Sequence, residues 1–150
     1  MRRTFTAIAT IAILLVFTSS YNSYDVSVDI NSFAPNFEIS KLGNHFKLSE
    51  TRGNYVIVNF WTSDYAEARI RKNLSFISVN FDDSDNMFKE LVRTDGLSEV
   101  SQFYEKDGME SEVYKRYRLK SGMNSYLLDK DGKILAINPT QQQLTKYFCQ

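Results

Sequence analysis

Few side chains in this sequence have the chemistry for catalysis, and most of those stand alone. Cys149 is the only cysteine and lies one residue from the end. One thiol can enter a mixed disulfide or meet a peroxide, but it closes no internal disulfide. Without such a role it reads as a terminal thiol or a small apolar contact. His45 is the only histidine, so any histidine-assisted nucleophile must use it. Its neighbours Ser40, Ser49 and Glu50 lack the strand–turn–helix setting of a nucleophile elbow, and a solvent-facing strand position suits His45 better. The run Asp82-Asp83-Ser84-Asp85 gathers carboxylates at a strand's carboxyl end. It has neither the glycine nor the distal bidentate glutamate of a calcium loop; acids at a helix start answer the positive end of the helix dipole. Asp129-Lys130-Asp131-Gly132 reads as a turn. None of these sets asks for a metal or a cofactor.

The elements that must position them come from a chain of 150 residues, 43% hydrophobic and 24% charged, enough for one globular domain with a closed core. Basic and acidic residues balance at 18 each, which gives nucleic acid no electrostatic reason to bind. Arg2 and Arg3 precede an apolar stretch over residues 7–17, broken only by Thr10, and Ser19 and Ser20 follow. About eleven residues make a helix of roughly 16 Å, against a hydrocarbon core of about 30 Å. Residues 1–20 therefore read as a cleaved secretory signal, residues 21–33 as a tether or edge strand, and residues 34–150 as the domain. The membrane enters only through that signal, if it stays uncleaved. No cysteine stands directly after the apolar stretch, so lipid attachment through one at that point is excluded.

Residues 37–39 and 45–48 flank Gly43-Asn44, a hairpin signal. Residues 55–61 are a near-continuous β-branched and aromatic run, the pattern of a strand buried on both faces. Residues 74–81 alternate as a second strand. Residues 84–94 suit a helix with Met87, Phe88, Leu91 and Val92 on one face, and residues 110–117 a second. Strands over 126–128 and 134–137 meet through Asp131-Gly132, a tight-hairpin signal. Asn138-Pro139-Thr140-Gln141 opens a last helix, with Asn as its cap and Pro at its first position. Strand, helix, strand, helix, hairpin, helix is an α/β order with a mixed sheet.

Ala34-Pro35-Asn36-Phe37-Glu38-Ile39, then Phe46-Lys47-Leu48-Ser49, Gly53 and Val56-Ile57-Val58-Asn59-Phe60-Trp61 resemble the opening of the exported thioredoxin-like family. Those are thiol–disulfide oxidoreductases of the TlpA/ResA type, related to peroxiredoxins of the alkyl hydroperoxide reductase type. Residues 126–134 look like that family's closing hairpin, so the resemblance covers roughly residues 34–148. It implies a thioredoxin-like α/β fold, a mixed central sheet flanked by helices, with an N-terminal β-hairpin.

The family strand runs into Phe-Trp-Ala-Thr-Trp-Cys-x-x-Cys. Aligned on Phe60-Trp61, its second Trp becomes Asp64 and its cysteines become Tyr65 and Ala68. Its chemistry needs a thiolate of lowered pKa at a helix start and a resolving thiol three residues on; a phenol and a methyl group supply neither. The replaced stretch still reads as a helix start, with Asp64 as cap, Glu67 completing a capping box, and Ala66, Ile70 and Leu74 on one stripe. The family's cis-proline, which presents backbone to a substrate peptide, falls at Met123, where a trans bond is expected because a non-proline cis bond costs about 2.5–4 kcal/mol. Only residues 62–75 join Trp61 to Phe76, so the first helix is expected to be short. The resulting expectation is a redox-inactive module in the periplasm or cell envelope that binds a protein or peptide at Asp64, Tyr65, Ala68 and the edge formed by Trp61, Gly122, Met123, Asn124 and Ser125. An exposed aromatic surface near Tyr65 would serve a peptide or a glycan. The alternative is a thiol–disulfide oxidoreductase or peroxiredoxin-like enzyme acting through Cys149.

Overall fold

The computed structural model describes residues 28–41, 44–63, 76–97 and 101–148. The expected signal, most of the first crossover with Asp64, Tyr65 and Ala68, and Cys149 lie outside the described residues.

The centre of the molecule is strand β3 (Val56–Trp61), buried at all six positions. It pairs in parallel with β4 (Phe76–Asn80), and β4 in parallel with β5 (Gln102–Tyr104). On its other side β3 pairs antiparallel with β6 (Ser125–Leu128), and β6 with β7 (Ile134–Ile137). The order β5-β4-β3-β6-β7 is a mixed five-stranded sheet of thioredoxin-like type. A separate antiparallel hairpin, β1 (Glu38–Lys41) and β2 (Asn44–Lys47), precedes it.

Because successive strand residues face opposite sides, β3 feeds two cores. Val56, Val58 and Phe60 enter the larger one, with Phe37, Phe81, Phe103, Tyr117 and Tyr126. Phe60 lies 4.5 Å from Tyr117 between ring centroids. The Tyr117 hydroxyl donates to the Pro35 carbonyl at 2.8 Å, which lets a buried phenol stay satisfied. Burial also pushes that phenol far above its ordinary pKa. Ile57 packs on the other face with Leu127, Ala136 and Leu144, and Trp61 with Phe88 and Val92.

Helix α1 (Asp85–Thr94) is capped by Ser84, whose Oγ accepts from the Met87 N–H at 3.3 Å. Phe88 and Val92 turn inward, but Met87 does not share their face and is 51% exposed. Helix α2 (Glu112–Arg116) starts later than position 110, because Glu110 belongs to a separate 3-10 turn and Ser111 is the cap. Helix α3 (Gln141–Phe148) is capped by Thr140 and not by Asn138. The Gln143 N–H donates to Thr140 Oγ1 at 3.3 Å and the Thr140 N–H donates to Gln143 Oε1 at 2.9 Å, a capping box two residues later than the sequence suggested.

Two turns also differ from expectation. β1 and β2 pair as far as Lys41 with Asn44, so Asn44 belongs to the strand and only residues 42–43 connect them. The β6–β7 loop holds the five residues 129–133, closed by Asp129 N–H donating to Lys133 O at 2.9 Å, and the pairing shifts between Leu127 and Leu128. Gly132 takes φ +79° there, the left-handed turn residue that such loops require. Residues 31–34 lie beside this hairpin, bridged through Phe33 and Lys133.

Candidate functional site

The carboxyl end of β3 and the start of β6 meet because the strands are antiparallel. Asn59 sits opposite Ser125, and the Phe60 N–H donates to the Asn124 carbonyl at 3.1 Å. The junction is bound by short polar side chains. Asn59 is 3% exposed, and its Oδ1 accepts from Ser125 Oγ at 2.6 Å. Asn138 clamps Ser125 from the other side: its Oδ1 accepts from the Ser125 N–H at 2.9 Å, and its own N–H donates to the Ser125 carbonyl at 2.7 Å. The Asn138 side chain also donates to Asn124 Oδ1 at 2.7 Å. Asn138 adopts φ +50°, a conformation Asn tolerates better than most residues. Its true work is this clamp, which lies across a hairpin and so leaves no mark in the local sequence.

The clamp fixes the edge that the sequence singled out. The Gly122 N–H donates to the Leu119 carbonyl at 3.0 Å, and the Gly122 carbonyl accepts from Asn124 Nδ2 at 3.3 Å. Gly122 holds φ +143°, accessible to glycine at little cost. Gly122 and Ser125 therefore have both backbone groups engaged within the domain, and Asn124 its carbonyl. Met123 differs: it is half-buried against the larger core, and its peptide N–H and carbonyl take no hydrogen bond among the described residues. No described peptide bond is cis.

Trp61 is 7% exposed and packs on Phe88 at 6.3 Å, so it backs the edge from within and does not face solvent. Its indole N–H has no partner among the described residues. Where β3 ends, Asp82 ties it to β4. Its carboxylate accepts from the Ser63 N–H at 2.9 Å, from Ser63 Oγ at 3.0 Å and from Asn80 Nδ2 at 2.8 Å. Asp82 thus belongs to the β3 exit, and capping of α1 falls to Ser84. Asp64, Tyr65 and Ala68 follow that exit in sequence and lie outside the described residues, as does Cys149.

Further acids collect at this end of the sheet. Glu105 is 9% exposed, and burial raises its carboxyl above the usual range, opposed by the Asp107 N–H that it accepts. The Tyr104 phenol is raised by burial and then by Asp85, Asp83, Asp82 and Glu105. A groove of about 1130 Å³ passes here between α1 and α2, floored by Phe37, Phe88, Tyr104 and Val113. Two pairs of its wall charges are matched, Lys89 with Asp85 and Arg116 with Glu112. Exposed His45 faces Glu38 at 3.3 Å on the hairpin. Among the described residues no group of three or more His, Cys, Asp or Glu side chains is placed to hold a metal ion. No described helix is long and apolar enough to cross a membrane.

No family model matches the chain. The thiol-disulfide oxidoreductase ResA of Bacillus cereus is 26% identical, over 85% of this chain and 82% of that protein. Among solved structures, a thioredoxin-like protein from Parabacteroides distasonis is 29% identical with a TM-score of 0.66, over 82% of this chain and 96% of that one. A thiol-disulfide oxidoreductase from Bacteroides fragilis is 26% identical with a TM-score of 0.62, over 77% and 96%. These matches span most of the domain: the chain has a thioredoxin-like fold and is similar in sequence to thiol-disulfide oxidoreductases of the TlpA/ResA type.

Proposed function

We propose that this protein is a redox-inactive thioredoxin-fold module of the bacterial cell envelope that binds a protein or peptide at the remodelled active-site edge. Residues 1–20 serve as its export signal. Loss of redox chemistry is read from the sequence: Tyr65 and Ala68 stand where the family has cysteines, and Cys149 is the one thiol in the chain.

The observation that carries the binding role is the contrast within residues 122–125. Gly122 and Ser125 are bonded inward, while Met123 keeps its N–H and carbonyl open. In an antiparallel pair one residue exchanges both of its hydrogen bonds with a single partner residue. One open position in a rigid frame is the smallest unit for adding an extended peptide to a sheet edge.

Two measurements test the reading. The exported form, residues 21–150, should reduce insulin disulfides no faster than its Cys149→Ser variant; turnover lost only in that variant would establish the alternative, an enzyme working through Cys149. A photo-crosslinking side chain at Met123 should capture a defined envelope protein that the same probe at Lys106 does not. Equal labelling from both positions would remove the edge as a binding site.

A further inference from the structure

At the opposite end of the sheet, where β3 begins and the β6–β7 loop turns, cations lie over aromatic rings. Arg52 sits 6.0 Å and Lys133 5.3 Å from the Phe33 ring centre, and Lys130 sits 5.6 Å from that of Tyr55. Tyr55 packs at 5.4 Å on Tyr147, which Lys146 covers at 5.5 Å. These four cation–ring contacts fall on this one end. The contacts are contiguous. The Gly53 N–H donates to the Lys130 carbonyl at 2.8 Å, and Arg52 fills the space over Gly132, where any Cβ would meet its guanidinium. Ile30 and Phe33, each 56% exposed, project beside them.

Phe33 and Ile30 are exposed, while Tyr55 and Tyr147 are half-buried with amines beside their rings; rings part in and part out of the domain, edged by cations, suit a water–lipid boundary. Aromatic rings sit at headgroup level there, and each lysine near an anionic surface strengthens attachment. The cationic excess is small. Exposed Asp29 and Asp131 lie in the same loops, and the Asp129 carboxylate is occupied by the N–H groups of Asp131 and Lys133. The apolar side chains must therefore share the work with the charges.

The route of the chain points the same way. The apolar stretch at residues 7–17 is followed by residues 18–27, and the described domain begins at Val28, a few positions before Phe33. Ten residues reach at most about 35 Å when fully extended. While that stretch is in a membrane, the domain is held close to the bilayer by the very end that carries the rings.

We propose that the end of the domain bearing Phe33, Tyr55 and Tyr147 is a docking surface for an anionic phospholipid bilayer. It does not depend on the redox reading, and its test contains no thiol chemistry. The test uses residues 21–150, because residues 1–20 supply none of the described contacts. Co-sedimentation is measured with vesicles of phosphatidylcholine alone and of phosphatidylcholine with phosphatidylglycerol. Binding is expected only with the anionic lipid, and it should weaken as salt screens the surface charge. Lys130→Glu with Lys146→Glu, both exposed positions, should lower the partition coefficient by about fivefold or more per residue. Ile30→Ser with Phe33→Ser should lower it too, and Lys106→Glu at the far end should leave it unchanged. Thermal midpoints check folding; if a charge reversal lowers its midpoint, the alanine pair at 130 and 146 takes its place. Equal binding to both vesicles, equal loss with Lys106→Glu, or release by inorganic phosphate beyond that by chloride of equal ionic strength would each overturn the proposal.

Discussion

The two ends of the central sheet handle polar groups in opposite ways. Where β3, β4 and β5 finish, side chains are turned inward and bonded within the domain: Asp82 to the Ser63 N–H, Asn59 to the Ser125 hydroxyl, Glu105 to the Asp107 N–H. Where β3 begins, charges stay on the surface and are held over rings. A buried polar group that loses its partner costs about 1–3 kcal/mol, whereas an exposed ion pair or solvated lysine contributes well under 1 kcal/mol. The first end is therefore built for a fixed shape and the second for exposure to whatever lies outside.

The largest effect should come from Asn138→Ala. The change removes two side-chain hydrogen bonds and places alanine at φ +50°. About 1 kcal/mol for each term gives a loss of about 2–4 kcal/mol, measurable by urea unfolding. A loss under 0.5 kcal/mol would mean the clamp adds no rigidity.

Asp82→Ala should follow, at about 1–3 kcal/mol, since three donors lose a charged acceptor. Its sharper readout is limited proteolysis just after Ser63, which should accelerate. Unchanged cleavage would deny Asp82 a part in holding the β3 exit.

Glu105 separates the ends by pH. Its carboxyl is raised by burial, so the folded state holds the proton more tightly than the unfolded chain does. Stability then falls as pH rises from the ordinary glutamate range through the folded pKa. Glu105→Gln keeps an acceptor for the Asp107 N–H and should flatten that fall, with little change below the ordinary range. A variant that keeps the full slope would place its origin elsewhere.

The smallest effect is expected at the other end. Lys130→Glu should alter unfolding free energy by less than about 0.5 kcal/mol, because an exposed cation near a ring contributes little. A larger loss would show that the basic end, too, is structural, and the contrast between the ends would fail.

Much of this organisation can be read from the chain. The unbroken run at 56–61 announces a doubly buried strand, and Asp131-Gly132 marks the closing hairpin. β5 escapes notice because Gln102-Phe103-Tyr104 is too short to show a period, and it becomes a strand only through pairing with β4. Asn138-Pro139 imitates a helix cap, but the Asn side chain serves Ser125, thirteen residues earlier. Capping preferences describe neighbours in sequence and say nothing of a partner across a hairpin. Trp61 ends a buried run and reads first as core, and its packing on Phe88 of α1 places it behind the edge that the resemblance assigned to it. Gly122, Met123, Asn124 and Ser125 could be located from the resemblance, but that Met123 alone keeps both backbone groups open depends on bonds its neighbours make, among them that of Ser125 to the distant Asn138.

The pairing of β3 with β6 also sets a clock. Residues 56–59 find their partners at 125–128, and Leu128 follows Trp61 by 67 residues. At roughly 5–20 residues per second of synthesis, that interval lasts about 3–13 s. Throughout it the central strand, buried at all six positions, has one edge without a neighbour, so the domain's folding is postponed until nearly all of it has been made. A nascent chain that stays unfolded for so long is in the state that a translocation channel accepts and is exposed to any chaperone that binds apolar strands.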